Sequence, residues 1–402
     1  MKKLVLITRR FPYYTTEAFL ETEIKFLAQH FDEISIYPSQ IGVLKREVPK
    51  NVNVIDDFSF HFQNKVKRFF QTIFSSFFWK SILDYKDRIK SIKDVFLLFK
   101  YSSSFVSYSK FFLNQRNTLD SSIVYTYWLN EAPHAFINLR SDHDFDFKIV
   151  SRAHRFDIYE GLDSTISFWP YRDFVLKKID TVYSISNDGK NYLEGKYFSS
   201  KIAVAKLGVI DLGGISIRSE KGSFSIVSVS RVEPLKRVDL IFKSICDFAQ
   251  FHNDLHVKWV HFGDGSVLSK IESEVTLIKH PNLDVQLMGN VENSQIYHYY
   301  KTSTVDVFIN LSSSEGIPVS IMEAQSFGIP VIATNVGGSG EIVNDNNGVL
   351  LVSDPTIKDV VEGIDKIINS NFTQNIIKTD WNVNFNAERN YSDFTKSLLL
   401  LR

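Results

Sequence analysis

The chain of 402 residues is 44% hydrophobic and 23% charged, and its 46 basic and 46 acidic side chains cancel to a formal charge of zero. Such a composition excludes a disordered chain, and the neutral field excludes whole-molecule attraction to nucleic acid, so only local patches can select a charged partner. A single cysteine, Cys246, excludes a disulfide framework or a cysteine metal site and fits a reducing cytosol.

The length exceeds what one core serves, and two domains are expected. The opening MKKLVLITRRF holds an apolar run too short for a signal-peptide core and predicts a first strand over 3–8. A helix over 17–29 and a strand over 34–38 complete a β-α-β start and a parallel sheet. Next comes NKVKRFFQTIFSSFFWK. In it Val66, Phe69, Phe70, Ile73, Phe74, Phe77 and Phe78 recur at the spacing of one amphipathic helix, flanked by Lys65, Lys67, Arg68 and Lys80. Residues 59–116 hold eleven Lys plus Arg against three Asp. Two readings stay open for this insertion, 58–116: the stripe packs on the first sheet with its lysines solvated, or it lies on an anionic membrane surface. Partial membrane contact is the expectation. No apolar run reaches the roughly 18 residues of a spanning helix.

Further strands are predicted at 122–127, 147–153 and 181–185. After the Gly- and Ser-containing segment 207–223 the alternation restarts, with strands at 225–230, 257–263, 284–289, 305–310 and 330–334 and a helix near 235–250. Two βαβ series predict two doubly wound domains, 1–206 and 223–380, facing each other across a cleft. A helical segment at 381–402 is expected to return to the first domain. Ligands of such sheets sit beyond the C-terminal strand ends, so the residues there matter most.

Arg231 follows its strand directly, and Lys236 and Arg237 fall in the predicted first turn of the next helix, where cations oppose the macrodipole by about 0.3–1 kcal/mol each. A bound diphosphate would compensate them; solvation of the side chains is the plainer alternative. In SEGIPVSIMEA, Gly316 permits a sharp turn, Pro318 suits a first helical position and Gly328 a C-cap. Glu315 then lies in the loop and Glu323 on a packed helix face, where a carboxylate wants donors such as vicinal sugar hydroxyls. The alternative is a dipole-complementing Glu315 and a solvated Glu323.

Glu315 and Glu323, seven residues between them, inside SSEGIPVSIMEAQSFGIPVIATNVGGSGEIV, resemble the signature of the family 4 glycosyltransferases of GT-B fold, polysaccharide-biosynthesis type. SRVEPLKR, GDGS (263–266), GNV (289–291) and SRAHRFD (151–157) are similar to further segments of that family, as are FPYYTTEAFLETEI and YTYWLNEAPHAF. Residues 58–116 match nothing specific. The resemblance implies a retaining hexosyltransferase that takes a nucleotide sugar, a UDP-sugar first, and a saccharide or lipid-linked acceptor, with neither nucleic acid nor metal as partner. It places Arg231 and Lys236 on the diphosphate, Glu323 on the ribose, and Glu315 with the backbone of Gly316, Ile317, Pro318 and Val319 on the donor sugar and its phosphate. Asn290 and Val291 fall to the base, His154 to the donor sugar from across the cleft, and Glu17 and Asp157 to the acceptor side. A cytoplasmic enzyme, peripheral on the inner membrane face, follows. The first turn, RFPYYTTEAF, lacks the glycines many relatives carry there; Thr16 as N-cap and Glu17 as first-turn acid is the competing reading. The triplet Asp144-Phe145-Asp146 precedes its strand and reads as a solvated loop. The competing functions are an epimerase, a phosphorylase or a non-catalytic partner in a transferase complex. A nicotinamide dehydrogenase is disfavoured because GDGSVL lacks the third glycine of its fingerprint.

Overall fold

The computed structural model describes residues 2–14, 16–161, 166–277, 280–370 and 372–401. The chain divides into two units, Met1–Leu207 with Asn390–Arg402, and Gly208–Arg389, so residues 381–389 stay with the second unit.

The first unit is built on a parallel sheet of β1 (Lys3–Thr8), β2 (Glu33–Pro38), β3 (Val52–Val54), β4 (Ser122–Thr126), β5 (Phe147–Ala153), β6 (Thr181–Ser184) and β7 (Ile202–Val204), in the order β3-β2-β1-β4-β5-β6-β7. Alternation along a strand sends Leu4 and Leu6 to one face and Val5 and Ile7 to the other, and both faces are covered. The second unit repeats the plan with β8 (Ser223–Val229), β9 (His256–Phe262), β10 (Leu283–Leu287), β11 (Val307–Asn310), β12 (Val331–Thr334) and β13 (Gly348–Leu351), ordered β10-β9-β8-β11-β12-β13. The edge strands β3, β7 and β13 are three or four residues long, too short for a periodic pattern to reveal them.

One face of the first sheet carries α1 (Phe19–His30) and the C-terminal helix Ala387–Leu399. Between them lies a buried charge pair. Arg152 Nη2 sits 3.0 Å from Glu23 Oε2, and neither side chain has any exposed surface. Tyr125 donates to Glu23 Oε1 at 2.8 Å, Arg152 donates to Tyr125 Oη and to the Ala205 carbonyl, and Phe394 of the C-terminal helix lies under the guanidinium at 4.4 Å.

The other face carries α2 (Asp57–Gln63), α3 (Lys65–Ile73), α4 (Ser76–Asp84) and α5 (Ile92–Phe112). Where the periodicity predicts one amphipathic helix there are two. Ser75 turns extended and its hydroxyl accepts from Phe77 N–H, starting α4 afresh. The break reorients the aromatic stripe. Phe78 becomes buried and Phe77 stacks on Phe105 with ring centroids 3.8 Å apart, whereas Phe69, Phe70 and Phe74 remain between 47% and 82% exposed.

Among the described residues, no helix is long and apolar enough to cross a membrane.

Candidate functional site

Strand order reverses between β1 and β4 in the first unit and between β8 and β11 in the second. Loops leaving those strands at their C-terminal ends flank the crevice where doubly wound sheets bind ligands.

In the second unit these loops are tied together. Pro234–Lys236 forms a short 3-10 turn, Arg237 adopts a left-handed backbone at φ 50°, and the helix begins only at Val238. Lys236 and Arg237 therefore stand before the helix and not in its first turn, which carries Asp239 instead. Their charges are met within the protein: Lys236 donates to Glu315 Oε1 at 2.5 Å, and Arg237 reaches Asp354 and the Ser353 carbonyl. The Lys236–Glu315 pair thus spans the loops after β8 and β11, with each side chain less than one-fifth exposed. Asn310, the last residue of β11, also donates to Glu315, and Ser313 N–H donates to the Leu235 carbonyl between the same loops. Arg231, in the loop just past β8, is exposed near the Glu233 carboxylate, which it helps hold below the usual range after the two hydrogen bonds from Ser266.

Glycine is required where backbones meet here. A Cβ on Gly337, at φ 51°, would lie 1.9 Å from the Glu315 carbonyl oxygen, and one on Gly263 would lie 1.8 Å from that of Ser230. Gly338 N–H donates to the Gly316 carbonyl, locking the loop after β12 onto the loop after β11. Pro318 has no N–H to offer a ligand and serves as the N-cap of the helix Val319–Ser326, and Gly328 follows that helix at φ 71°. Gly316, Ile317 and Val319 are half-buried around it.

Glu323 lies inside this helix, 9% exposed, and Tyr297 donates to its Oε1 at 2.6 Å. Burial raises its pKa, and the tyrosine hydrogen bond offsets this only in part. Tyr297 carries no sequence signal beyond its place on the preceding helix, Asn293–Thr302. Asn290 is exposed and Val291 half-buried in the loop after β10, which Gly263 N–H joins to the β9 loop by donating to the Gly289 carbonyl.

The first unit closes its own switch point with a carboxylate. Glu17 stands outside α1 at φ 56° and folds back over the loop after β1. Its Oε1 accepts from Arg9 N–H at 3.0 Å and from the Trp128 indole at 2.5 Å; its Oε2 accepts from Arg10 N–H and Phe11 N–H, each at 2.7 Å. Three successive backbone donors make a nest suited to an anion, and here the anion is the chain's own. Neither helix capping nor an open acceptor contact describes this residue. Glu17→Ala leaves four donors unpaired, so the first unit is expected to lose about 1.5–3 kcal/mol in denaturant unfolding. Glu17→Gln should fall between, with one oxygen still accepting.

Trp128, so held, packs its ring on His154 at 4.8 Å, and Tyr127 packs at 4.6 Å. His154 is 8% exposed and its Nε2 has no hydrogen-bond partner among the described residues. Burial first, and then the neighbouring Arg152, push its pKa down to about 3, so the ring is neutral. Asp157 is fully buried and its carboxylate accepts from Leu129 N–H and His154 N–H, tying together the ends of β4 and β5. With both oxygens turned to the backbone, its part is to fix the His154 loop.

Residues 216–381 match the family model described as glycosyl transferases group 1. Among curated relatives, the O-antigen biosynthesis glycosyltransferase WbnH of Escherichia coli is 28% identical over 179 residues, 44% of this chain and 47% of that protein. A phosphatidylinositol N-acetylglucosaminyltransferase component of Homo sapiens is 30% identical over 149 residues, 36% of this chain and 29% of that protein. The matches thus span less than half the length of either relative. Of solved structures, the lipopolysaccharide outer core galactosyltransferase WaaB superposes with a TM-score of 0.71 at 17% identity, covering 99% of both chains. Anabaena Alr3699/HepE, in complex with UDP and glucose, gives 0.62 at 14% identity, again over 99% of each chain. These likenesses show the fold, two parallel-sheet α/β domains as in the GT-B glycosyltransferases.

Proposed function

We propose that the chain, whose residues 216–381 match the glycosyl transferases group 1 model, is a glycosyltransferase of glycan biosynthesis that moves a hexose from a nucleotide sugar to a saccharide acceptor. The observation that carries this reading is the Lys236–Glu315 pair at the β8/β11 reversal, a partly buried cation and carboxylate set where a doubly wound sheet receives its ligand. UDP is the nucleotide we assign, since HepE and the pneumococcal O-GlcNAc transferase GtfA are solved with UDP and a sugar. The acceptor is assigned as lipid-linked in keeping with the O-antigen and phosphatidylinositol relatives.

In this reading Arg231 and Lys236 receive the charge that grows on the diphosphate as it leaves, so no divalent ion is called on for it. Glu315 and the N–H groups of Gly316, Ile317 and Val319 hold the transferred sugar and its phosphate, Glu323 takes the ribose hydroxyls, and Asn290 and Val291 flank the base. The sugar leaves with retention. The bond from its anomeric carbon to the phosphate oxygen breaks, the acceptor oxygen bonds to that carbon on the same face, and the acceptor proton passes to the departing phosphate oxygen. In the first unit, the neutral His154 Nε2 lacks a donor, and a sugar hydroxyl supplies one.

Turnover of UDP-sugars on a saccharide acceptor, with the product's anomeric configuration read by NMR, tests the reading. Release of an epimer or a sugar phosphate in place of a glycoside would overturn it, and a sugar trapped covalently on Glu315 would overturn the same-face step. Glu323→Ala removes a charge-assisted contact worth about 1.5–3 kcal/mol, so calorimetry should show UDP binding weakened by about ten- to a hundredfold. The sign of the pH effect follows from burial. The Glu323 pKa is already raised in the free protein, and hydroxyl donors favour its ionised form, so UDP affinity should fall as pH is lowered and binding should release protons. Affinity that is flat with pH would remove the ribose assignment.

A further inference from the structure

The break at Ser75 leaves an aromatic ridge on the surface of the first unit, its exposed rings joined through the buried Phe78 and half-buried Phe99 beneath them. Phe70 stacks near Phe74 at 6.5 Å, Phe69 touches both Phe70 and Phe99 at 5.6 Å, and Phe78, against Phe99, meets Trp79 at 5.2 Å. Phe74 is 82% exposed, Val66 69%, and Phe70 and Trp79 55% each. A cleft of about 480 Å³ opens beside the ridge, lined by Phe70, Phe74, Val106 and Lys110. Soluble surfaces scatter single apolar residues but seldom join them this way.

Cations rim the ridge. Lys65, Lys67, Lys80, Lys100 and Lys110 are all exposed, and residues 59–116 carry eleven Lys plus Arg against three Asp in a chain whose total charge is zero. An apolar protein face would match the phenylalanines alone, whereas an anionic bilayer surface matches both the phenylalanines and the excess of eight positive charges over 59–116. Trp79 adds a second mark: its indole donates to the Ile73 carbonyl, so the ring is held over the end of α3 while more than half exposed, the posture of tryptophan at a lipid headgroup level.

We propose that the α3–α4 ridge docks on the anionic surface of a phospholipid bilayer, with Phe70, Phe74 and Trp79 entering the interface and the lysines meeting headgroup phosphates. The ridge thereby holds the enzyme beside a lipid-borne acceptor, and this extends the acceptor half of the proposed function.

The full chain is sedimented with vesicles of phosphatidylglycerol and phosphatidylcholine, and with phosphatidylcholine alone. Binding to the anionic vesicles at least tenfold stronger is expected, lost on raising salt. Trp79 fluorescence should be quenched by brominated lipid, and the component should vanish in Trp79→Phe. Phe70→Ser/Phe74→Ser and, separately, Lys65→Glu/Lys67→Glu should each cut binding tenfold or more; the lysines are exposed, so the second pair leaves packing intact. Equal binding to both vesicle types, absence of binding, or binding that survives both variants overturns the proposal. So does a dimer in sedimentation velocity that Phe70→Ser/Phe74→Ser dissolves, since a second copy would then cover the ridge. UDP affinity measured on the same variants reports the second unit and should not change, which separates failure of this inference from failure of the transferase reading.

Discussion

Lys236→Ala is expected to lower kcat/KM for sugar transfer by about 10²–10³, because a preorganised donor facing a leaving oxyanion contributes about 2.7–4 kcal/mol. The loss should lie in kcat more than in KM, since charge on the diphosphate develops as the bond breaks. Two features of the structure sharpen the expectation. Lys236 is less than one-fifth exposed and placed by a 3-10 turn, so its ammonium does not have to be gathered from solvent. Among the described residues, its removal also leaves Glu315 with only the weaker Asn310 contact at 3.3 Å, an anion stranded where the proposed diphosphate would bind. Lys236→Arg should recover part of the rate, and Glu315→Gln, which keeps the cation, should cost less than Lys236→Ala at the diphosphate. Steady-state kinetics with UDP-sugars decide the matter. Retention of more than a fifth of the wild-type rate by Lys236→Ala would leave the pair as a fastener between two loops and nothing more.

Glu23→Ala is expected to destabilise the first unit by about 3–5 kcal/mol, since it strands Arg152 with no exposed surface and no counterion. Arg152→Met should cost a similar amount by stranding Glu23, whose pKa burial already raises against the pull of Arg152. The discriminating variant removes the polar cluster as a whole. Glu23→Leu/Tyr125→Phe/Arg152→Met places apolar groups among Leu4, Ile34, Val150 and Phe394 and should return to within about 1–2 kcal/mol of wild type or exceed it. Denaturant melts of the three variants measure this. Equal losses in single and triple variants would mean that packing, and not charge compensation, sets the stability here.

The strands that face both ways into apolar layers were legible, because runs such as FKIVSRA are bounded by polar turns and rich in β-branched residues. The short edges were not, for three residues of Val-Asn-Val carry no period. Ser75 shows where two signals compete: the spacing from Val66 to Phe78 continues through it, but its N-cap chemistry prevails and divides the helix. At the site, Gly316, Pro318 and Gly328 made the loop and short helix after β11 readable and put Glu315 in the loop and Glu323 on a packed helix face, but the spacing alone left their roles open and only the family resemblance assigned them. The handedness of Arg237 was not, and it moves Lys236 out of the helix and across to Glu315. Glu17 was hidden for a similar reason. A glutamate opening a helical pattern reads as a first-turn acid, and only the backbone at φ 56° returns it to N–H groups six to eight residues earlier. Arg152 offered a signal that could have been used: a cation on a strand whose neighbours are all buried implies a buried counterion somewhere in the fold.

The loops after β8 and β11, with the helix Val319–Ser326, carry Arg231, Lys236 and Arg237 against Glu233, Glu315 and Glu323, three positive and three negative groups, so formally they are neutral before any ligand arrives. In the proposed reaction, a spent nucleoside diphosphate would therefore burden that neighbourhood with uncompensated negative charge once the sugar has gone. Such balance favours rapid expulsion of the by-product over tight retention, and it suits a catalyst that must cycle many times while spent nucleotide accumulates around it.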